Sequence, residues 1–149
     1  MPNHVRQQIR EAVVVLVTSL TTTGANVFDS RIRPLEQSKL PCLLVYAQNE
    51  EVEYLTMTLG TRRQDRRLEI IVEGVAQDLT QIEDTLDTIA KEVETAIAGD
   101  VTLGGLAKET RLEDTELSID GQGEKPLGRV QMTFTVDYQT LENAPTSSA

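Results

Sequence analysis

The feature that most constrains the fold is residues 130–138, in which apolar and polar side chains alternate without exception. Its apolar side chains are Val130, Met132, Phe134, Val136 and Tyr138. Successive side chains of a β-strand point to opposite faces of a sheet, so this alternation predicts a strand with one face on a core and the other in water. Residues 115–119 alternate in the same way, and loop 120–126 joins both segments into a predicted hairpin.

A sheet with one buried face needs a second layer, and two segments have the helical period that could supply it. In residues 82–97 the apolar side chains recur every three or four positions, and mostly acidic side chains fill the opposite side. Residues 4–20 have the same period, although the β-branched run 13–15 weakens it. The pattern predicts an α+β fold in which a mixed or antiparallel sheet carries two main helices on one face.

Three further strands are predicted upstream of the second helix. Residues 40–46 and 51–59 read as a hairpin with a turn at 48–50, and residues 68–76 form a third strand rich in Ile and Val. No linker or internal repeat divides the chain. We therefore expect one domain over residues 1–140, followed by a flexible tail at 141–149 that ends in small and polar residues.

The composition limits the classes of partner. A formal net charge of −10 repels phosphate backbones and anionic membranes, and an aromatic content of 3% with no Trp leaves little surface for stacking bases. The longest apolar stretch near the start, residues 12–17, is too short for a membrane span, which needs about 20 residues. We expect a protein that stays in the cytoplasm where it is made, with no membrane partner.

No recognisable catalytic or metal-binding motif is present. The single histidine, His4, lies near the amino terminus and is expected to be a surface residue without a role, and the single cysteine, Cys42, lies in an apolar run and is expected to be buried. The acidic segments 50–53 and 113–116 are better explained as solvated faces than as cation sites. We therefore predict no cofactor, no metal and no enzymatic activity.

One local departure from the acidic balance is an arginine cluster between two predicted strands. It consists of Arg62, Arg63, Arg66 and Arg67. With Gly60 before it, this segment reads as a mobile hairpin arm, which is either a solvated loop or a docking element. Arginine forks pair with carboxylates, and neighbouring copies of so acidic a chain offer them. The four arginines are therefore the predicted interface with another subunit or another protein.

Several strings resemble the tail terminator proteins of long-tailed bacteriophages, the minor tail protein U type. They are residues 27–34 (VFDSRIRP), residues 40–46 (LPCLLVY), residues 67–76, the amphipathic helix, and the last strand closing on Val136, Asp137 and Tyr138. The resemblance covers roughly residues 5–138, whereas the loop at 21–24 and the carboxy-terminal tail do not align with the family pattern.

This resemblance implies a structural role in the virion. Such proteins form a hexameric ring on the head-proximal end of the tail tube, stop its polymerisation and supply the surface that joins the head. The implied partners are other copies of the chain, the tail tube protein and head–tail connector or neck proteins, with assembly in the host cytoplasm. Genomic DNA would only pass through the ring, and a negative lumen would let it slide.

Other readings stay open at this point. A head–tail connector or neck completion protein would share many of these features. A small regulatory module could bind a ligand on the polar face of the last strand, with Arg129 as the only anchoring cation beside Gln131, Thr133 and Thr135. An enzyme that uses converging carboxylates, for example a metal-assisted hydrolase, would need acidic residues from separate elements.

Overall fold

The computed structural model describes residues 3–29, 40–57, 59–77, 80–121 and 126–149. The elements are α1 (Val5–Val17), β1 (Val27–Phe28), β2 (Cys42–Tyr54), β3 (Arg63–Gln77), α2 (Ile82–Ala98), β4 (Glu109–Asp120) and β5 (Leu127–Leu141). The strands form a five-stranded sheet in the order β1-β2-β3-β5-β4. Of these described strands, only β1 pairs in parallel with its neighbour, so the sheet is mixed. The predicted α+β class is confirmed.

Both helices pack on the same face of this sheet, as predicted. The core contains one stripe from each helix and the inward side chains of β2, β3 and β5. The buried helix residues are Val5, Ile9, Val13, Val17, Leu86, Ile89, Val93 and Ile97. All the apolar residues of the alternating segment in β5 belong to this core, so the alternation identified the buried face correctly.

The second helix lies close to the sheet because two glycines lie beneath it. A Cβ atom on Gly74 would lie 2.7 Å from Ile89 Cγ2 and 2.9 Å from Val130 Cγ1, and one on Gly128 would lie 2.7 Å from Ile82 Cγ1. These distances are shorter than carbon atoms tolerate, so the strands β3 and β5 accept α2 only where a side chain is missing.

His4 begins the first helix, and the expectation that it has no role is wrong. Its Nδ1 accepts a hydrogen bond of 3.0 Å from the backbone N–H of Arg6, which satisfies one of the unpaired donors of the first turn. Burial, followed by the charges of Arg6 and Arg66, lowers the pKa of His4. The neutral ring is the form that can accept this hydrogen bond.

The predicted hairpin turn at residues 48–50 is wrong. β2 runs through these residues as one strand, and the register with β3 shifts between Ala47 and Glu50. The polar residues that suggested a turn lie at a bulge, where a strand accommodates extra residues without reversing. The chain reverses later, between Tyr54 and Arg63, so β2 and β3 form the hairpin.

The carboxy-terminal residues make defined contacts with the rest of the chain. The N–H of Val5 donates to Pro145 O over 2.9 Å, and the hydroxyl of Ser148 donates to Leu106 O over 2.7 Å. The predicted boundary at residue 140 falls inside β5, which ends at Leu141. The flexibility of residues 141–149 stays a prediction, but these residues are not a detached tail in this structure.

Candidate assembly surface

The four arginines of the cluster do not form a mobile arm, which corrects that prediction. β3 begins at Arg63, so three of them lie in a strand paired on both sides, and Arg62 directly precedes it. Arg66 lies opposite the core residue Tyr138 and shares the face that carries the helices. The neighbouring side chain, Arg67, points to the opposite face, because strand residues alternate.

Arg66 belongs to a nearly enclosed charge network. Its Nη1 lies 2.9 Å from Glu50 Oε2, with side chains only 11% and 8% exposed. The same oxygen accepts a 2.7 Å bond from Arg6 on α1, and the other carboxylate oxygen accepts a very short hydrogen bond from Tyr138. Burial and the bond to Glu50 raise the pKa of Tyr138. This network ties α1, the β2 bulge, β3 and β5 together, and the buried pair of Arg66 and Glu50 within it is not available to a partner.

Arg67 lies in a second network on the opposite face. Its Nε is 3.2 Å from Asp137 Oδ1, and Arg111 Nη1 is 2.6 Å from the other oxygen of that carboxylate. Burial opposes ionisation of Asp137, but the hydrogen bonds from Arg111 and Arg67 outweigh it and lower the pKa of Asp137. Because the side chain of Arg67 is still 59% exposed, it can also reach an external carboxylate.

Arg62 fastens the loop that connects β2 and β3, at the point where this loop enters β3. Its Nε and Nη2 donate to the two oxygens of Glu142 over 3.0 and 3.1 Å, and its guanidinium lies 4.4 Å from the centroid of the Tyr54 ring. The hydrogen bonds from Arg62 lower the pKa of Glu142 to about 2. Arg62 therefore stiffens the hairpin through a bidentate pair and a stacked cation.

Arg63 is the arginine with the weakest internal contacts. Its Nη1 donates to Gln139 Oε1 over 3.4 Å, and among the described residues it has no ion pair. The residue is exposed. Of the predicted interface residues, Arg63 and the exposed part of Arg67 are thus the ones whose charge can meet a partner.

Sequence reasoning missed the apolar residues of the same hairpin. Met57 and Leu59 are 87% and 80% exposed, and Val52, Tyr54 and Leu55 expose more than two fifths of their surface. The sequence predicts a strand over residues 51–59, and that prediction does not say which of these side chains remain exposed. The signal that could have found them is the imperfect alternation there, which leaves no single face for burial.

Among the described residues, a depression of about 370 Å³ brings together carboxylates of four strands, Glu51, Glu53, Asp65, Glu109 and Asp137, beside Arg66, Arg67 and Lys108. No group of three His, Cys, Asp or Glu side chains there could hold a metal ion. Arg129, the cation that the last strand itself offers to a ligand, shares a depression with Glu73 and Glu116, which disfavours an anionic ligand. Cys42 is fully buried, as expected. None of the described helices has the length and apolar character needed to cross a membrane.

Comparisons with known proteins agree with the α+β fold described above. One solved structure, described as the virion of a native gene transfer agent particle, has a similar fold, with a TM-score of 0.51 at 14% identity and coverage of 92% of each chain. No match was found among curated proteins. The family described as phage minor tail protein U matches residues 4–138, which is most of the 149-residue chain. The chain therefore belongs to the phage minor tail protein U family and has a structural role in a phage tail.

Proposed function

We propose that this protein forms a hexameric ring that caps the head-proximal end of the tail tube, ends its polymerisation and presents the surface to which the head joins. Its partners are copies of itself, the tail tube protein and the head–tail connector or neck proteins. Membership of the minor tail protein U family supports this role. The observation that carries the proposal is the exposed apolar end of the β2–β3 hairpin.

The exposed apolar side chains at this end of the hairpin are unusual for a protein that acts as a monomer. Monomeric soluble proteins seldom leave contiguous apolar side chains in water, and such patches usually mark interaction sites. Here Leu55, Met57 and Leu59 are exposed at one end of the molecule, while Arg62 and Glu142 hold the hairpin base in place. A fastened hairpin loses little conformational freedom when it binds, which favours a role in assembly.

Outside the buried cluster of Cys42, Leu44 and Val75, the sheet face opposite the helices suits a channel that DNA traverses. Carboxylates outnumber arginines there, because the ladder places Glu51, Glu53, Asp65, Glu69, Glu73, Glu109, Asp114, Glu116 and Asp137 on this face with Arg63, Arg67, Arg111 and Arg129. A negative surface repels phosphates, so DNA would pass without binding. In the ring we propose, this face lines the lumen, and Arg63 and Arg67 at its hairpin end meet the next subunit or the tube.

The mass of the assembly tests this function. We expect native mass spectrometry and light scattering to show a hexamer, either for the free protein or after addition of purified tail tubes. Tubes with bound protein should no longer elongate when tube subunits are supplied. A protein that stays monomeric or dimeric with tubes present would refute the proposal. Binding to filled heads but not to tubes would identify a neck completion protein instead.

A further inference from the structure

A second apolar surface lies away from the hairpin. The carboxy-terminal end of α2 and the edge strand β4 enclose a groove of about 240 Å³. Its apolar lining is Ile97, Ala98, Val101, Leu112 and Phe134. Small-molecule sites usually occupy about 300–1,000 Å³. The groove is smaller than that range, so one or two apolar side chains are better suited to it than a ligand of ordinary size.

One polar atom in this groove lacks a partner. The hydroxyl of Thr110 is buried and has no hydrogen-bond partner among the described residues, although Thr110 is only 6% exposed. Thr110 lines the groove from β4. A buried hydroxyl without a partner carries an uncompensated desolvation cost. A group that enters the groove with a hydrogen-bonding atom beside its apolar side chains would remove that cost, and Thr56 and Thr61 of the hairpin carry such atoms.

The charges around the two surfaces are complementary. The hairpin segment 55–63 contains no acidic residue, although the chain as a whole carries −10, and its Arg63 has no ion pair among the described residues. Glu94 lines the groove, and the remaining charged residues of α2 are acidic except Lys91. Opposite charges around apolar centres steer two surfaces together and fix their orientation.

The hairpin of one molecule lies far from its own groove. The groove is at the β4 edge of the sheet, whereas β2 is three strands away in the order β1-β2-β3-β5-β4. At about 4.8 Å per strand, this is about 14 Å across the sheet. The hairpin also extends beyond the end of the β2–β3 ladder. The two surfaces can therefore meet only between different molecules.

We propose that the end of the β2–β3 hairpin inserts Met57 and Leu59 into the groove between α2 and β4 of the next copy of this chain. Because the two surfaces differ, the contact is head-to-tail, and repetition with a closing rotation produces a ring. The inference rests on the proposed ring function and names the contact that builds it. The occupant of the groove is thus a second copy of the chain.

Single-surface variants test this contact. Met57→Glu with Leu59→Glu damages only the hairpin, and Leu112→Glu damages only the groove, because Leu112 is 39% exposed. We expect each variant to be monomeric where the wild type forms a ring, on tubes if the wild type needs them. Val15→Glu, at a position 74% exposed on α1, is the matched control and should assemble normally. Circular dichroism checks that each variant is folded.

Mixing the two defective variants gives the sharper result. The intact hairpin of the Leu112→Glu variant can enter the intact groove of the hairpin variant, but no further copy can join. We expect the mixture, at high protein concentration, to contain a dimer with one copy of each variant, and each variant alone to contain none. Sedimentation velocity and native mass spectrometry distinguish these species.

The outcomes separate this inference from the function on which it rests. If the wild type forms rings and the variants do so equally well, or if the mixture gives no mixed dimer, the hairpin–groove contact is refuted and the ring function stands. Loss of tube binding by the hairpin variant without a mixed dimer would assign the hairpin to the tube and refute the contact. If the wild type assembles neither alone nor on tubes, both proposals fail.

Discussion

Replacing Glu50 by Ala should destabilise the fold more than the replacement of any other charged residue of the β2–β3 hairpin by Ala. Glu50 lies in the β2 bulge, and its carboxylate accepts hydrogen bonds from Arg66, Arg6 and Tyr138. Its side chain is 8% exposed, so water cannot take over these roles easily. The change removes the one acceptor that three separate elements share.

The expected loss follows from the exposure of each partner. Arg66 is 11% exposed, and an ion left buried without its partner costs about 3–5 kcal/mol. Arg6 is 41% exposed, so its pair contributes about 0–1 kcal/mol. The buried phenol of Tyr138 loses an acceptor, which costs about 1–3 kcal/mol. These terms overlap because they share one carboxylate, and Arg66 keeps its bonds to Thr140 and Gln64, so we expect about 4 kcal/mol.

Urea denaturation followed by circular dichroism measures this loss. With a slope of about 2 kcal/mol per molar urea, the midpoint should fall by about 2 M. Glu51→Ala is the matched control, since Glu51 is exposed on the opposite face and should change the midpoint little. The double replacement Glu50→Leu with Arg66→Met should restore much of the stability, because no charge is then left unpaired. Equal midpoints for Glu50→Ala and Glu51→Ala would refute the reasoning.

Three further changes test other parts of the structure. Gly74→Ala should lower the free energy of unfolding by about 1–3 kcal/mol through overpacking beneath α2, whereas Gly121→Ala, which has open space around it, should not; equal effects would argue against the close packing. His4→Ala removes the helix cap and should lower the free energy of unfolding by about 1 kcal/mol above pH 7. His4→Asn keeps a cap, and it should abolish the loss of stability that protonation of His4 causes in the wild type as pH falls below 6.5. If the wild type shows no such loss, the ring does not cap the helix. Because Arg62 lowers the pKa of Glu142 in the folded state, this pair stabilises the fold above pH 4.5, and the stabilisation should disappear as pH falls toward about 2. Glu142→Gln should therefore flatten the acid unfolding profile in that window. An unchanged profile would show that the pair with Arg62 does not affect folding.

The helices and the last strand were predictable because their signals are local. A helix repeats every 3.6 residues and a strand every two, so the side chains of one segment reveal which face is buried without knowledge of the rest. The helical stripe of residues 82–97 and the alternation of residues 130–138 are such signals, and both faces were identified correctly. The acidic balance is likewise a property of the chain alone.

The turn in β2 was predicted wrongly because local composition competed with a distant pairing. Gln48, Asn49 and Glu50 are residues that favour turns, and nothing within the segment shows that β3 continues alongside it. Pairing with β3 on both sides of the register shift keeps β2 extended, so the polar residues form a bulge instead. The long ladder of hydrogen bonds between β2 and β3 outweighed the local preference of these three residues for a turn.

The sequence by itself determined where the helices and the main strands form, which of their faces are buried and that the chain is acidic. Only the tertiary structure decided which arginines are engaged and which apolar side chains remain in water. Arg66, Arg67 and Arg62 find partners 16, 70 and 80 positions away, so their roles depend on the register of distant strands. Periodicity is set by the backbone geometry of one segment, whereas ion pairing and exposure are set by which segments meet.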